Sequence, residues 1–400
     1  MGNGEASSVA PAAARASTRF RRADMRAAWL QIHLWLGLTL GVIGAVLGVT
    51  GSILVYDHAI DAALNPERYR TSGATVPLPY AEYTQRAGAA VGEGARAVNL
   101  RLPDEAGMPV VALIRARGEG AGIRRVYLDP PTGRVLDAST SRGFVGWAHD
   151  IHGSLLLRDY NGRDVVGIAG IAMLISSLSG IYLWWPRRRF AARDFGFRRG
   201  SMLSRNLHYT LGFYSSLVLA LLAFTGIAIS FPEAARSGVA VFGKLSESPR
   251  GVQATSVSSG RPIAIDRAVA IARELYPHAA VVGIGLPAGP RGAYRVALRE
   301  AGDDSAGPVT QVFIDPLSEA ILRKIDRSTQ TRGDAFLALQ RPLHEGTPLG
   351  ALGRALFFVV GLLPALLVVT GTMMWLRKRK TRRRIIAGEG QESPTARRPG

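Results

Sequence analysis

The sequence predicts an α-helical membrane protein: a four-helix transmembrane bundle built as a two-fold parallel repeat, with two small α+β lobes outside the membrane. Three observations predict it. Four apolar stretches are each long enough to cross a bilayer. Basic residues cluster beside those stretches. The two halves of the chain repeat one another motif by motif.

Residues 1–27 form a basic tail rich in Ala, Ser and Arg, with the composition of a disordered segment. The first span covers 28–56. From Trp29 to Tyr56 no acidic or basic side chain interrupts it apart from His33, and a helix needs only about 20 such residues to cross a bilayer core. Gly37, Gly41, Gly44, Gly48 and Gly51 follow His33 at steps of three and four, which puts all six on one helical face. That face offers a seat for a planar macrocycle; tight helix packing is the alternative use of such glycines. Residues 57–164 form the first outer lobe. A short helix over 78–92 leads to strands in VNLRLP, PVVALIRA and RRVYLDPPTGRVLDA, with a turn at Pro130–Gly133. The second span, 165–186, ends at Pro186, and a basic loop covers 187–206. The third span is 207–231. The second lobe, 232–351, opens with an amphipathic helix over 263–276, followed by AVVGIGL, AYRVALRE and TQVFIDPLSEAILRKI as strands. Gly283, Gly285 and Gly289 have the wrong spacing for a nucleotide loop. The fourth span is 352–376, where Gly361 and Pro364 predict a kink. A basic tail, 377–400, closes the chain.

The formal net charge is +19, from 49 Lys and Arg against 30 Asp and Glu. Most of the excess lies in the two tails and the 187–206 loop, each abutting a span. This positive-inside arrangement places both termini and that loop in the cytoplasm and both lobes outside. It also argues against nucleic acid as the partner, because the charge is explained by membrane lipid and topology. The apolar run after Arg26 is too long for a cleavable signal and reads as an uncleaved anchor. With no cysteine in the chain, disulfides, zinc–cysteine sites, iron–sulfur clusters and covalent haem attachment are excluded.

The repeat is specific. His33, Gly37 and Thr50-Gly51 recur as His208, Gly212 and Thr225-Gly226. His152, Gly162-Arg163, Gly180 and Trp184 recur as His344, Gly353-Arg354, Gly371 and Trp375. Both halves enter from the same side, so the repeat axis runs along the membrane normal. Within the lobes, Tyr127, Asp129 and Pro130 correspond to Phe313, Asp315 and Pro316.

Four of the seven histidines therefore hold matched positions. His33 and His208 begin the odd spans; His152 and His344 precede the even ones. A bundle of this topology brings like ends together and so pairs the imidazoles, one pair at each face. Paired imidazoles in a bundle core are a means of holding six-coordinate haem, and the expected cofactors are two non-covalent haem b. A hydrogen-bonded polar residue at a helix end is the alternative for any one histidine. A porphyrin-free metal site lacks a carboxylate in the spans to complete it. His149, one turn before His152, is a second candidate for the outer ligand; its repeat counterpart is Arg341.

The H-x3-G…TG span, the outer histidine turn followed by Gly-Arg, the G-x3-W end and the Asp-Pro strand resemble the PepSY-associated transmembrane proteins, also called iron-regulated membrane proteins, over about 25–380. The resemblance implies a multi-pass protein of the bacterial inner membrane with PepSY-like periplasmic lobes. Members include dihaem ferric-siderophore reductases, so it implies an enzyme that passes electrons outward, reduces iron held by a ferric siderophore and releases it. The family's haem histidines map onto His33, His208, His152 and His344, with His149 as the uncertain member. No cytoplasmic segment carries a flavin or nucleotide fingerprint, so the electron donor is external: a quinol or a docking soluble reductase. Two other functions fit the same motifs. One is a non-redox membrane protein whose lobes bind or inhibit a periplasmic partner. The other is a haem electron carrier for a different periplasmic acceptor.

Overall fold

A computed structural model describes residues 10–103, 105–117, 122–138, 143–185, 203–246, 252–254, 261–300, 309–326 and 330–389. Most of the expected basic loop at 187–206 and the end of the C-terminal tail lie outside the described residues. The chain divides into two compact units. One combines the segments up to Ser52, Asp150–Ser230 and everything from Leu352; the other combines Ile53–His149 with Phe231–Ala351.

Helices make up the first unit and part of the second. Helix α1 spans Ala10–Thr39 and α2 spans Gly41–Leu54. Residues from Ala10 to Arg26, expected to be disordered, are helical; alanine and arginine are both good helix formers. The expected single first span is a pair of helices bent by 61° at Leu40. Helices α3 to α5 are Asp57–Leu64, Tyr80–Val91 and Gly143–Ser154. Helix α6 is Gly162–Trp184 and α7 is Leu203–Ser230. Helices α8 to α10 are Pro232–Ala240, Ile265–Leu275 and Arg332–Glu345. Helix α11, Gly350–Glu389, stays helical through Pro364 and runs on into the expected C-terminal tail. Three of these helices, α6, α7 and α11, are long and apolar enough to cross a membrane, and the bent α1–α2 pair makes a fourth if counted as one span. Their outward positions are apolar: Leu217 is 74% and Leu352 is 85% exposed, as expected of surfaces solvated by lipid.

The glycine stripe of the first span serves mainly as packing surface. A Cβ on Gly48 would collide with the Gly361 carbonyl, and the Ser52 hydroxyl donates to the Phe358 carbonyl at 2.8 Å. Gly44 receives Met173 and Gly41 receives Val368. Only Gly37 of the five faces open space, so the expected flat seat for a macrocycle along the whole stripe is not there. The bend at Leu40 breaks the single helical face that the spacing implied.

The second unit carries one antiparallel sheet. Its strands are β1 Arg96–Arg101, β2 Val110–Arg115, β3 Ile123–Leu128, β4 Val135–Asp137, β5 Ala280–Gly285, β6 Tyr294–Arg299, β7 Thr310–Ile314 and β8 Ile321–Ile325. The order is β4-β3-β2-β1-β5-β6-β7-β8. The two expected lobes are thus halves of a single eight-stranded sheet. They join where β1 pairs β5 antiparallel, with Leu100 opposite Ile284. Both of those side chains are fully buried. Helices α4 and α9 pack on the same face, where Tyr83, Ala87, Ala268, Val269, Ile271 and Ala272 join one core. Separate halves would leave β1 and β5 as open edges; pairing satisfies both. Helix α10, not expected as a helix, is started by a capping box between Thr331 and Asp334.

Candidate functional site

The helical unit brings His33 and His208 together. Their ring centroids lie 6.3 Å apart with the planes at 83°. Each ring is anchored through Nδ1. On His33, Nδ1 lies 3.1 Å from the Ser176 carbonyl and 3.0 Å from Ser179 Oγ. On His208, it lies 3.1 Å from both the Leu367 carbonyl and Thr370 Oγ1. A carbonyl oxygen can only accept, so Nδ1 carries the proton in both rings, and the Nε2 lone pair is left as the donor to a metal.

His152 is seated in the same way on α2. Its Nδ1 is 2.9 Å from the Leu47 carbonyl and 3.3 Å from Thr50 Oγ1. The three seats share one pattern: a carbonyl, a hydroxyl three residues later, then glycine. They read Ser176, Ser179, Gly180; Leu367, Thr370, Gly371; and Leu47, Thr50, Gly51. The glycines are the floors on which the rings lie. A Cβ would come within 3.4 Å of His33 Cε1 at Gly180, 3.1 Å of His208 Cε1 at Gly371 and 2.9 Å of His152 Cε1 at Gly51. The threonines turn their hydroxyl protons back to their own helix, Thr50 onto Val46 and Thr370 onto Leu366, both at 2.8 Å. Each hydroxyl oxygen is thereby left free to accept from the imidazole. Thr225 repeats this geometry, donating to the Leu221 carbonyl at 2.8 Å and followed by Gly226. In the sequence, Thr50-Gly51, Thr225-Gly226, Gly180 and Gly371 stand out only as repeat markers. Their recurrence as Thr50-Gly51, Ser179-Gly180, Thr225-Gly226 and Thr370-Gly371 is the signal that could have identified the seats.

Beside the pair, Trp184 stacks on Phe213 at 3.6 Å. Trp184 lies one turn along α6 from Gly180 and so shares its face. The other two candidates fall in the second unit. His344 is in the last turn of α10. His149 is 45% exposed at its side chain and lies 3.5 Å from Asp57 Oδ2, with no seat of the kind that holds His152.

A metal bridging two imidazoles through bonds of about 2 Å, plus the half-width of each ring, sets the centroids roughly 6 Å apart. The His33–His208 separation fits. Among the described residues, no group of three or more His, Cys, Asp or Glu is placed to hold a metal ion. Two imidazole nitrogens without further protein donors would suit haem, which brings ring nitrogens of its own. A family model for the PepSY-associated TM region matches residues 30–378. The chain belongs to the PepSY-associated transmembrane family. The match spans all the helices of the histidine seats, and it makes this a membrane protein of that family. No curated protein matches this PepSY-associated chain significantly.

Proposed function

We propose that the protein is a dihaem b protein of the bacterial inner membrane that passes electrons outward to reduce a ferric siderophore. The observation that carries this reading is the His33–His208 pair, two rings at a metal-bridging separation with their Nε2 atoms freed by anchored Nδ1 protons. His33 and His208 would hold one haem. His152 would hold the second, with His344 as its repeat counterpart and His149 as the alternative. When bound, haem supplies a one-electron ferric/ferrous couple. The chain's own part would be to fix the imidazole rings. Hydroxyl and carbonyl acceptors on Nδ1 set the tautomer and raise the donor strength of Nε2. The glycine floors hold each ring in one orientation.

His33 and Thr50 are 17 residues apart, about 25 Å of straight helix at 1.5 Å per residue, shortened by the 61° bend at Leu40 between them. The inner pair and the His152 seat would then lie at different depths, as an electron path through a membrane needs. Both termini would be cytoplasmic, and a quinol or a soluble reductase would supply electrons there. The acceptor would be met on the opposite side, where reduction weakens the chelate's hold on iron.

The test is an absorption spectrum of the full-length protein purified from haem-replete cells. A Soret band that shifts on reduction, with two haems per chain, is the expected result. A colourless protein overturns the proposal. With haem present, ferrous iron released from an added ferric siderophore under anaerobic conditions tests the reductase step; no release would leave an electron carrier for another acceptor.

A further inference from the structure

We propose that the face of the eight-stranded sheet opposite α4 and α9 docks the acceptor, and that this acceptor is an anionic ferric chelate rather than a neutral one. The inference rests on the reductase reading and names its substrate class. Side chains alternate across a strand, and α4 and α9 take one face of this sheet. The opposite face is read directly from the register. One row across it runs Arg125, Leu113, Asn99, Gly285, Arg295 and Phe313, with Arg323 at its end. The next runs Tyr127, Val111, Arg101, Gly283, Ala297 and Gln311.

The charge on these two rows has one sign. Arg101, Arg125 and Arg295 are exposed, and among the described residues no carboxylate pairs with them. The carboxylate closest in register, Asp137 opposite Tyr127, is taken by Arg68 Nε at 2.6 Å. Arg101 and Arg295 flank β5 from its two sides, and a bound anion relieves the repulsion between them.

Outward positions on β5 are Gly283 and Gly285, flanked in register by Arg101 on β1 and Arg295 on β6. The Arg295 side chain lies over Gly285: a Cβ on Gly285 would touch its Nε at 3.5 Å and Nη2 at 3.8 Å. At one end Tyr127 is covered by the Arg68 guanidinium, 4.9 Å from the ring centroid. At the other end Phe313 is only 6% exposed. Two arginines flanking a strand of outward glycines, Arg101 on β1 and Arg295 on β6, suit a multivalent anion laid across β5.

The experiment uses the full-length protein in detergent and two probes, ferric citrate and a neutral ferric trihydroxamate, with binding followed by calorimetry. Ferric citrate should bind more tightly, and more weakly as salt is raised. The double variant R101Q/R295Q should lose about tenfold or more per arginine, while R101K/R295K keeps most of the preference. Both pairs are exposed and should leave the haem spectrum unchanged. Equal affinity in parent and R101Q/R295Q, or equal binding of both probes, overturns the proposal. So does an arginine effect seen only as stabilisation by anionic phospholipid, which would assign the face to the bilayer. A haem-containing protein that reduces both probes alike, indifferent to these arginines, sinks the docking face and leaves the reductase standing. Arginine-dependent citrate binding by a haem-free protein does the reverse.

Discussion

His33 and His208 stand with ring centroids 6.3 Å apart and ring planes at 83°. They come from helices α1 and α7, and each leans on a different third helix, His33 on α6 and His208 on α11. The pair thus depends on four helical stretches at once.

Replacing either ring should therefore remove one haem and spare the other. H33A and H208A should each carry one haem per chain, read as a pyridine haemochrome, and neither should reduce an external ferric chelate. Two haems retained in either variant would remove these residues from the ligand set.

The seats predict a graded effect. In T370V the His208 Nδ1 keeps the Leu367 carbonyl but loses its hydroxyl acceptor. Loss of such an outer partner costs about 10–100-fold in metal affinity, measurable as faster haem transfer to an acceptor globin. G51A places a Cβ 2.9 Å from His152 Cε1, so the ring must shift. It should lose the outer haem selectively, with the inner one intact by its spectrum.

Arg68 is 4% exposed and joins Asp61 at 2.9 Å to Asp137 at 2.6 Å. R68M strands two carboxylates in a buried place, at a cost of about 3–5 kcal/mol. Its melting temperature should fall by several degrees, and the triple variant D61N/R68M/D137N should recover part of the loss. No fall in R68M would show that the cluster contributes nothing.

Acid should weaken the sheet unit through Asp129. Burial pushes this carboxyl upward, but hydrogen bonds from Thr132 and from the Ser72 hydroxyl and N–H outweigh it and hold the group below the usual carboxylate range. A depressed folded pKa stabilises the native state above the unfolded pKa, and that contribution is lost as pH falls below about 4. Asp334, held down at the start of α10 by Thr331 and Ser246, acts in the same direction. D129N should melt lower than the parent at pH 7 and converge with it toward pH 3. Parallel curves across that range would exclude the linkage.

The joint between β1 and β5 carries the sheet. L100A or I284A opens a cavity where the two halves meet, worth about 2–5 kcal/mol. Hydrogen exchange should then speed on strands of both halves together; exchange confined to one half would mean that each folds alone.

The apolar runs, the duplicated motifs and the strand pattern were legible in the sequence because each depends on local period and composition. The helix over 78–92, that over 263–276 and all eight strands lie close to where their alternation places them. The histidines were legible as candidates because the repeat singled them out. What the sequence could not decide was pairing in space. That β1 would meet β5, merging two lobes into one sheet, depends on edge strands far apart in the chain. The Gly48–Gly361 contact, the bend at Leu40 and the seating of His152 rather than His149 on Thr50 and Gly51 are likewise set by tertiary packing. Residue types and spacing determined which groups are available; only the folded backbone decided which carbonyl each imidazole meets, because hydrogen bonds across helices are fixed by interhelical register, which no local pattern encodes.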